Sequence, residues 1–190
     1  MTAQPHEPIT HADFPAWELA QQSKHEFVNG HVYGFAGGTV EHNTLQIALA
    51  SAIFAHLRGG PCRTFGADML IEMTSSTRYA DVVVTCDQRD QSPGAAVIRF
   101  PNVIVEVLSE STAGQDLGTK LREYQGIETL QEYIVVDSRK RWVQAIRRRG
   151  RDWIITVVSP EENPQLPVTF ESIDLTLELD EFYALAGIDR

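Results

Sequence analysis

The chain is poor in cysteine and in long apolar runs, and each of these two shortages excludes a class of protein. Cys62 and Cys86 lack Cys-x-x-Cys spacing, so the sequence supports neither a zinc knuckle nor a disulfide framework, and both thiols are expected as small core side chains. The apolar runs are short and are broken by glycine, proline or charge, and the first residues lack the pattern of a secretory signal. We therefore expect a cytoplasmic protein with no membrane segment.

Positive charge is also scarce. The chain has 16 Lys and Arg against 26 Asp and Glu, which gives a net charge of −10. A protein that binds nucleic acid through bulk charge has the opposite sign, so any contact with nucleic acid must be local. The excess of acid is concentrated in residues 160–190, which hold eight acidic residues and one arginine.

The length and composition fit one domain. A chain of 190 residues that is 43% apolar can bury a core without help from disulfides. No internal repeat or low-complexity block divides the sequence. We therefore expect a single domain over 1–190, with its core at about 10–160 and an acidic C-terminal tail at 160–190.

Turn signals and apolar spacing predict the main elements. Asn29-Gly30, between the β-prone runs 24–28 and 31–35, is typical of a type I′ hairpin because both residues tolerate a positive φ. Apolar residues recur at helical spacing over 42–58, which predicts an amphipathic helix. Further strands are predicted at 64–73, 80–86, 102–108, 133–137, 142–147 and 153–158, and further helices near 10–21, 112–126 and 180–186. This order predicts an α/β fold in which helices flank a central mixed sheet.

Two acidic residues occur where apolar side chains are expected. Glu106 shares one face of the predicted strand 102–108 with Ile104 and Leu108, and Asp81 precedes an all-valine run. An unpaired carboxylate there costs several kcal/mol, so each acid needs a partner. Taken singly, Glu106 could pair with a buried arginine and Asp81 could end a turn. Together, on consecutive strands, they can converge on a hard cation such as Mg²⁺.

Lys120 is the candidate cation beside these two acids. Only three residues are lysines, Lys24, Lys120 and Lys140, so a lysine is more informative in this chain than an arginine. On a helix, Lys120 shares its face with Asp116 and Tyr124, at i−4 and i+4. The spacing is compatible with a group that stabilises charge on a phosphate, and equally with a plain surface pair between Asp116 and Lys120.

The order of these motifs resembles a known bacterial family. The chain is similar to the putative restriction endonuclease family of the PD-(D/E)XK nuclease-like superfamily, formerly a domain of unknown function. The resemblance covers roughly residues 10 to 160. It is carried by residues 79–84, 101–109, 116–120 with Tyr124, and 132–137, together with 25–30 and His42.

The resemblance implies a restriction-endonuclease-like core and assigns roles to particular residues. It implies that Asp81 and Glu106 are the two metal-binding acids and that Glu26, on the hairpin, adds a third acid to the site. Where the superfamily has a lysine two residues after the second acid, this chain has Leu108. The family recruits its lysine from the following helix, and Lys120 matches that position. Catalysis would then depend on Asp81, Glu106, Lys120 and Glu26.

The implied activity is hydrolysis of phosphodiester bonds in DNA. The cofactor would be Mg²⁺, with Mn²⁺ as a substitute, and a homodimer would allow cleavage of both strands. The alternative is a catalytically inactive nuclease-fold module that binds nucleic acid or protein and in which the acidic cluster is structural.

Two further features are candidates for nucleic-acid contact. His42, just before the predicted long helix, could contact a phosphate or a water, or could simply hydrogen-bond at the helix terminus. The segment 139–151 concentrates seven basic residues, and its Arg147, Arg148 and Arg149 are candidate phosphate contacts. The alternative for this segment is a solvated edge hairpin protected from aggregation by its charge.

Overall fold

The computed structural model describes residues 2–3, 9–34, 37–109, 114, 116–163 and 166–188. Within these residues the strands form two six-stranded sheets and one two-stranded hairpin. In the sheet that carries the predicted acids, β9 (Pro101–Leu108) runs parallel to β10 (Glu132–Asp137) and antiparallel to β7 (Val82–Thr85). The expected α/β fold with a mixed central sheet is confirmed.

The central sheet contains the long apolar strands. Its order is β12, β11, β10, β9, β7, β4. The remaining members are β11 (Val143–Arg149), β12 (Asp152–Val158) and β4 (Arg63–Phe65).

The second sheet is built around the hairpin that Asn29-Gly30 predicts. Asn29 and Gly30 have φ values of 49° and 87°, as a type I′ turn requires, and Val28 pairs with His31. The order of this sheet is β1 (Thr2–Ala3), β3 (His31–Gly34), β2 (His25–Val28), β6 (Ser76–Tyr79), β5 (Leu70–Glu72) and β8 (Val97–Ile98).

Three helices pack on the central sheet, with both of its faces covered, and the first helix packs on the second sheet. The longest, α2, begins after Thr39, whose hydroxyl oxygen accepts a hydrogen bond from the His42 backbone N–H. Its inner residues Leu45, Leu49 and Ile53 are buried against the sheet. The helices are α1 (Phe14–Glu18), α2 (Val40–Leu57), α3 (Leu121–Gln125), which continues a π-helical turn over Asp116–Lys120, and α4 (Leu179–Leu185). Short 3₁₀ turns cover Gln88–Gln91 and Glu171–Ile173, and β13 (Val168–Phe170) pairs with β14 (Leu175–Leu177).

One segment predicted as a single strand is divided between the sheets. The stretch 64–73 becomes β4 in the central sheet and β5 in the second sheet. The stretch 80–86 forms only β7, and β6 of the second sheet ends just before it at Tyr79. Gly66 and Asp68, which favour turns, interrupt the first stretch. Asp81 therefore lies where the chain passes from the second sheet into the central one.

The core extends beyond the boundary near residue 160 that the sequence suggested. Phe170 and Tyr183, both in the acidic segment, are fully buried. The Tyr183 hydroxyl bonds the carbonyl oxygens of Asp137 and Trp142, each at 2.9 Å. The segment therefore packs against the central sheet through its apolar residues, and the acids among its described residues lie at the surface.

The expectation of two free core thiols is wrong. Cys62 and Cys86 form a disulfide bond. Arg63 pairs with Thr85 where β4 meets β7, so the next residues outward along the ladder, Cys62 and Cys86, face each other. The pairing arises from strand register, which Cys spacing alone does not reveal.

No helix in the described residues is long and apolar enough to cross a membrane.

We expect the disulfide to stabilise the protein by roughly 3 kcal/mol, because it closes a loop across 24 positions of the chain. Urea unfolding with and without reductant measures this difference. The double variant Cys62→Ala, Cys86→Ala should be insensitive to reductant, and serves as the matched control. Two titratable free thiols in the unreduced wild type would contradict the assignment.

Candidate functional site

Glu106 lies at the centre of a buried polar cluster. The alternation of β9 places Val103, Val105 and Val107 in one core cluster and turns Glu106 toward the opposite face. There its Oε1 accepts hydrogen bonds from Lys120 Nζ and from the Tyr124 hydroxyl, both at 2.9 Å. No hydrogen bond from the described residues reaches its Oε2. The partner of Glu106 is therefore a lysine, and the alternative of a buried arginine does not apply.

The helix that follows β9 supplies the rest of the cluster. Asp116 and Lys120 form an i, i+4 ion pair with Oδ1 and Nζ at 3.1 Å, and both side chains are buried. The Tyr133 hydroxyl on β10 donates to the Asp116 carbonyl oxygen at 2.9 Å and so holds this turn against the sheet. The alternative of a surface pair between Asp116 and Lys120 is excluded, because both residues are buried.

Asp81 approaches the same cluster from the neighbouring strand. Val82 is in register with Val105, so Asp81 comes beside Glu106, and its Oδ2 accepts a hydrogen bond from the Val107 backbone N–H at 2.7 Å. His42 Nε2 lies 3.3 Å from the same oxygen. The side chains of Asp81 and His42 are 14% and 16% exposed, so this end of the cluster reaches solvent.

His42 thus contacts one of the predicted metal ligands. It lies in the first turn of α2, and Gln46, one turn further, donates from Nε2 to the Asp81 carbonyl oxygen at 3.0 Å. Gly38 makes room for the His42 ring, because a Cβ at position 38 would lie 2.7 Å from His42 Nδ1. Helix α2 therefore fixes both the backbone and the carboxylate of Asp81.

Glu26 belongs to a separate, adjoining network. Its Oε2 accepts from Arg78 Nη1 at 2.8 Å and its Oε1 from the Tyr79 backbone N–H at 3.2 Å. Arg78 also binds Glu123 on α3, through Nε at 2.5 Å. Because both oxygens of Glu26 are engaged, we do not count it among the proposed metal ligands.

Burial and neighbouring charge shift the proton affinities in this cluster. Burial raises the pKa of Glu106 well above its usual range; the Lys120 ammonium opposes this shift, and the carboxylates of Asp116 and Asp81 add to it. Burial alone would lower the pKa of Lys120, but the carboxylates of Glu106, Glu26 and Asp116 outweigh it and raise that pKa. Lys120 is therefore an ammonium at neutral pH.

Proton affinities are also raised at the margins of the cluster. The contact with Asp81 raises the pKa of His42, which favours its imidazolium form. Burial, together with the charge of Glu106, raises the pKa of Tyr124 well above its usual value, so its hydroxyl remains a hydrogen-bond donor.

The donor atoms fit a divalent cation held by two carboxylates. Asp81 Oδ1 and Glu106 Oε2 accept no hydrogen bond from the described residues, whereas Asp116 Oδ1 is paired with Lys120 Nζ at 3.1 Å. The acidic groups of Asp81, Glu106 and Asp116 face the Lys120 ammonium and the His42 ring, so acidic groups outnumber basic ones in the cluster. In the described part of the chain no group of three or more His, Cys, Asp or Glu side chains could hold a metal ion. Two carboxylates with one open oxygen each suit a hard divalent cation, which can bind through one or two carboxylates and complete its shell with water or substrate oxygens.

Sequence reasoning missed the residues that connect the two networks. Arg78 is among the largest fully buried side chains, yet nothing in its short strand distinguishes it from a surface arginine. The one local signal was Glu123, an acid next to Tyr124 on the predicted helix that carries Lys120. The pairing of Arg78 with Glu26 and Glu123 depends on contacts between residues 45 and 52 positions apart.

The three candidate arginines of the basic segment make contacts within the protein. Arg147 is buried and its Nη2 donates to the Thr169 carbonyl oxygen. Arg148 binds the carbonyl oxygens of Leu130, Gln125 and Ile127 and lies over the Trp153 ring. Arg149 pairs with Glu171 at 2.5 Å. We therefore do not propose these arginines as phosphate contacts, and the alternative of a fully solvated hairpin also fails for Arg147.

Comparison with known proteins places the chain in a family. The model of the Uma2 family, described as "Putative restriction endonuclease", matches residues 11–178. The uncharacterized protein slr1290 of Synechocystis sp. is 32% identical over 174 residues, which cover 90% of this chain and 89% of that protein. A second Synechocystis protein, sll1609, is 28% identical over 169 residues, which cover 87% and 95% of the two chains.

A solved structure shares the fold. It is the crystal structure of a putative nuclease belonging to DUF820 from Anabaena variabilis, with a TM-score of 0.76 and 16% sequence identity. The match covers 94% of this chain and 99% of that one, so the similarity includes both sheets. With its family model matched over most of its length, the chain belongs to the Uma2 family of putative restriction endonucleases.

Proposed function

We propose that the protein is a metal-dependent DNA endonuclease that hydrolyses phosphodiester bonds. The observation that carries the proposal is the contact of Lys120 Nζ with Glu106 Oε1 at 2.9 Å, beside Asp81 on the adjacent strand. Lys120 reaches Glu106 from the helix and so provides the positive charge that Leu108 does not supply. Membership of a restriction-endonuclease-like family supports the same chemistry.

Asp81 and Glu106 are the proposed ligands of the divalent cation. Each has one carboxylate oxygen fixed by protein donors and a second oxygen that accepts no hydrogen bond from the described residues. When bound, Mg²⁺, or Mn²⁺ in its place, supplies Lewis-acid polarisation of the phosphate and lowers the pKa of water. The fixed oxygens hold both carboxylates in orientation, so little reorganisation is required on binding.

Lys120 is proposed to act through its positive charge. Its contacts with Glu106 and Asp116, at 2.9 Å and 3.1 Å, favour the ammonium form and raise its pKa. The ammonium can stabilise negative charge that develops on the phosphate, and it fixes Glu106 at the same time. Asp116 and Tyr124 hold the lysine and the glutamate in place through their contacts at 3.1 Å and 2.9 Å.

His42 is proposed to position Asp81. The contact of Nε2 with Asp81 Oδ2 at 3.3 Å, together with the bond from Val107 N–H, orients the carboxylate from two sides. The His42 side chain is 16% exposed at the solvent-facing end of the cluster, which would leave it accessible to a phosphate of bound DNA. A homodimer in the cytoplasm would supply two such sites, one for each strand of a duplex.

A second candidate function is favoured by the burial of Glu106 within the cluster. Glu106 is buried and paired, and the described residues offer no cluster of three metal-binding side chains. These features also suit a catalytically inactive nuclease-fold module in which the acids are structural. The presence or absence of divalent-dependent cleavage separates the two candidates.

We expect the purified protein to cleave plasmid or single-stranded DNA in the presence of Mg²⁺ and to lose this activity in EDTA. Asp81→Asn, Glu106→Gln and Lys120→Met should each reduce cleavage by roughly 10²–10³-fold, because each removes charge from the transition-state environment. Gel-based nicking assays measure the rates, and circular dichroism verifies that each variant is folded.

Lys140→Ala is the matched control for Lys120, since Lys140 lies over the Trp142 ring, outside the cluster. It should retain wild-type activity. Undiminished cleavage in all three site variants would contradict the assignment, and a wild type inactive with Mg²⁺ and with Mn²⁺ would favour the inactive module.

We expect Gly38→Ala to lower the cleavage rate severalfold, because its methyl group would displace the His42 ring and weaken the contact with Asp81. Gly37→Ala is the matched control, because a Cβ at position 37 meets no atom within 4 Å. The ratio of the two rates under identical conditions is the measurement. Equal rates would show that His42 does not position Asp81.

A further inference from the structure

Helix α2 presents a stripe of large apolar side chains to solvent. Val40, Ile47 and Phe54 are 78%, 58% and 59% exposed. They are seven residues apart, which is close to two helical turns, so they lie along one side of the helix. The inner side of the same helix already buries Leu45 against the central sheet. Helix α2 is therefore apolar on two sides and covered on only one.

The rest of the outward face lacks the charges of a solvated helix. Among its 18 residues, Glu41 is the only Asp, Glu, Lys or Arg. Its other exposed positions include Asn43, which lies between Val40 and Ile47 on the same side, and Ser51 and Ala55, which are small enough to let a second helix approach closely. Large apolar residues on the outward side of a helix whose inner side is already buried are typical of a helix covered on both sides. The composition thus points to a partner on this face.

We propose that the outward face of α2 is a homodimer interface, in which two copies of the helix pack antiparallel about a two-fold axis. A two-fold interface must be self-complementary, since the same patch appears on both sides. Ile47 lies midway between the other two residues of the stripe. At the axis it would face the partner's Ile47, and Val40 would face the partner's Phe54.

Charge favours a second copy in this orientation. Glu41 lies in the first turn of α2 and Arg58 directly follows its last turn, and both are exposed. Antiparallel packing brings the acidic end of each helix toward the basic end of its partner and opposes the two helix dipoles. Parallel packing would place the two Glu41 carboxylates together.

The interface would lie on the helix that borders the proposed active site. Val40 is two residues from His42, and Gln46 on the same helix holds the Asp81 backbone. The inference does not depend on the proposed function, because an inactive module would dimerise through the same face.

Sedimentation or light-scattering measurements of the mass in solution test the interface. We expect the wild type to be dimeric at micromolar concentration and Ile47→Lys to be monomeric, because the substitution places two ammonium groups at the axis. Leu19→Lys is the matched control: Leu19 is 62% exposed but lies at the end of α1, so this variant should remain dimeric. A monomeric wild type, or a dimer that survives Ile47→Lys, overturns the proposal.

A second variant gives a readout that does not require the dimer to be disrupted. In unreduced protein the native cysteines are paired, so Ile47→Cys introduces the one thiol available to a short bifunctional maleimide among the described residues. We expect efficient crosslinking to a covalent dimer for Ile47→Cys and little for Leu19→Cys. The exposed Ile155 on edge strand β12 offers an alternative surface. A dimer dissociated by Ile155→Lys and not by Ile47→Lys would also overturn the assignment to α2.

Discussion

The buried contact between Lys120 and Glu106 is the interaction on which the site depends. Glu106 lies within a strand whose neighbours are valines and isoleucines, and an unpaired carboxylate there would cost several kcal/mol. Lys120 offsets this cost from a separate element, so the helix that carries it must dock against β9. The Tyr124 and Tyr133 hydroxyls fix that docking through Glu106 and the Asp116 carbonyl. The charge requirement of one carboxylate thus determines where the helix sits.

The second sheet and α2 complete the surroundings of this pair. Arg78, in the second sheet, binds Glu26 and Glu123 and so ties that sheet to α3. Asp81 lies between β6 and β7, where the chain changes sheets, and the Val107 N–H and His42 orient its carboxylate. The two acids are therefore held by different parts of the fold. Their approach depends on the strand register between β7 and β9.

Local signals in the sequence predicted what local physics determines. The positive φ tolerated by Asn29 and Gly30 produced the hairpin, and the alternation in β9 turned Glu106 to the face opposite its valine neighbours. The pairing of β7 with β9 and the helical lysine followed from chain order and from the family resemblance. These signals located the cluster of Asp81, Glu106 and Lys120, but not which atoms are in contact.

Features that depend on long-range register escaped prediction. The Cys62–Cys86 bond forms because the register of β4 and β7 brings those residues together. The spacing of the two cysteines along the chain does not indicate this pairing. Arg148 looked like a phosphate contact because its neighbours are basic, yet its guanidinium binds backbone carbonyls around Ile127. The division of the chain between two sheets was not predicted for the same reason, because the sequence of a strand does not identify the strand with which it pairs.

Anomalous diffraction from a crystal soaked in Mn²⁺ tests whether Asp81 and Glu106 together hold a divalent cation, because it locates the ion without relying on activity. We expect an anomalous peak between Asp81 Oδ1 and Glu106 Oε2, lost in crystals of Asp81→Asn. A peak elsewhere, or none at the two acids in a well-ordered soaked crystal, would show that these carboxylates do not form the cation site.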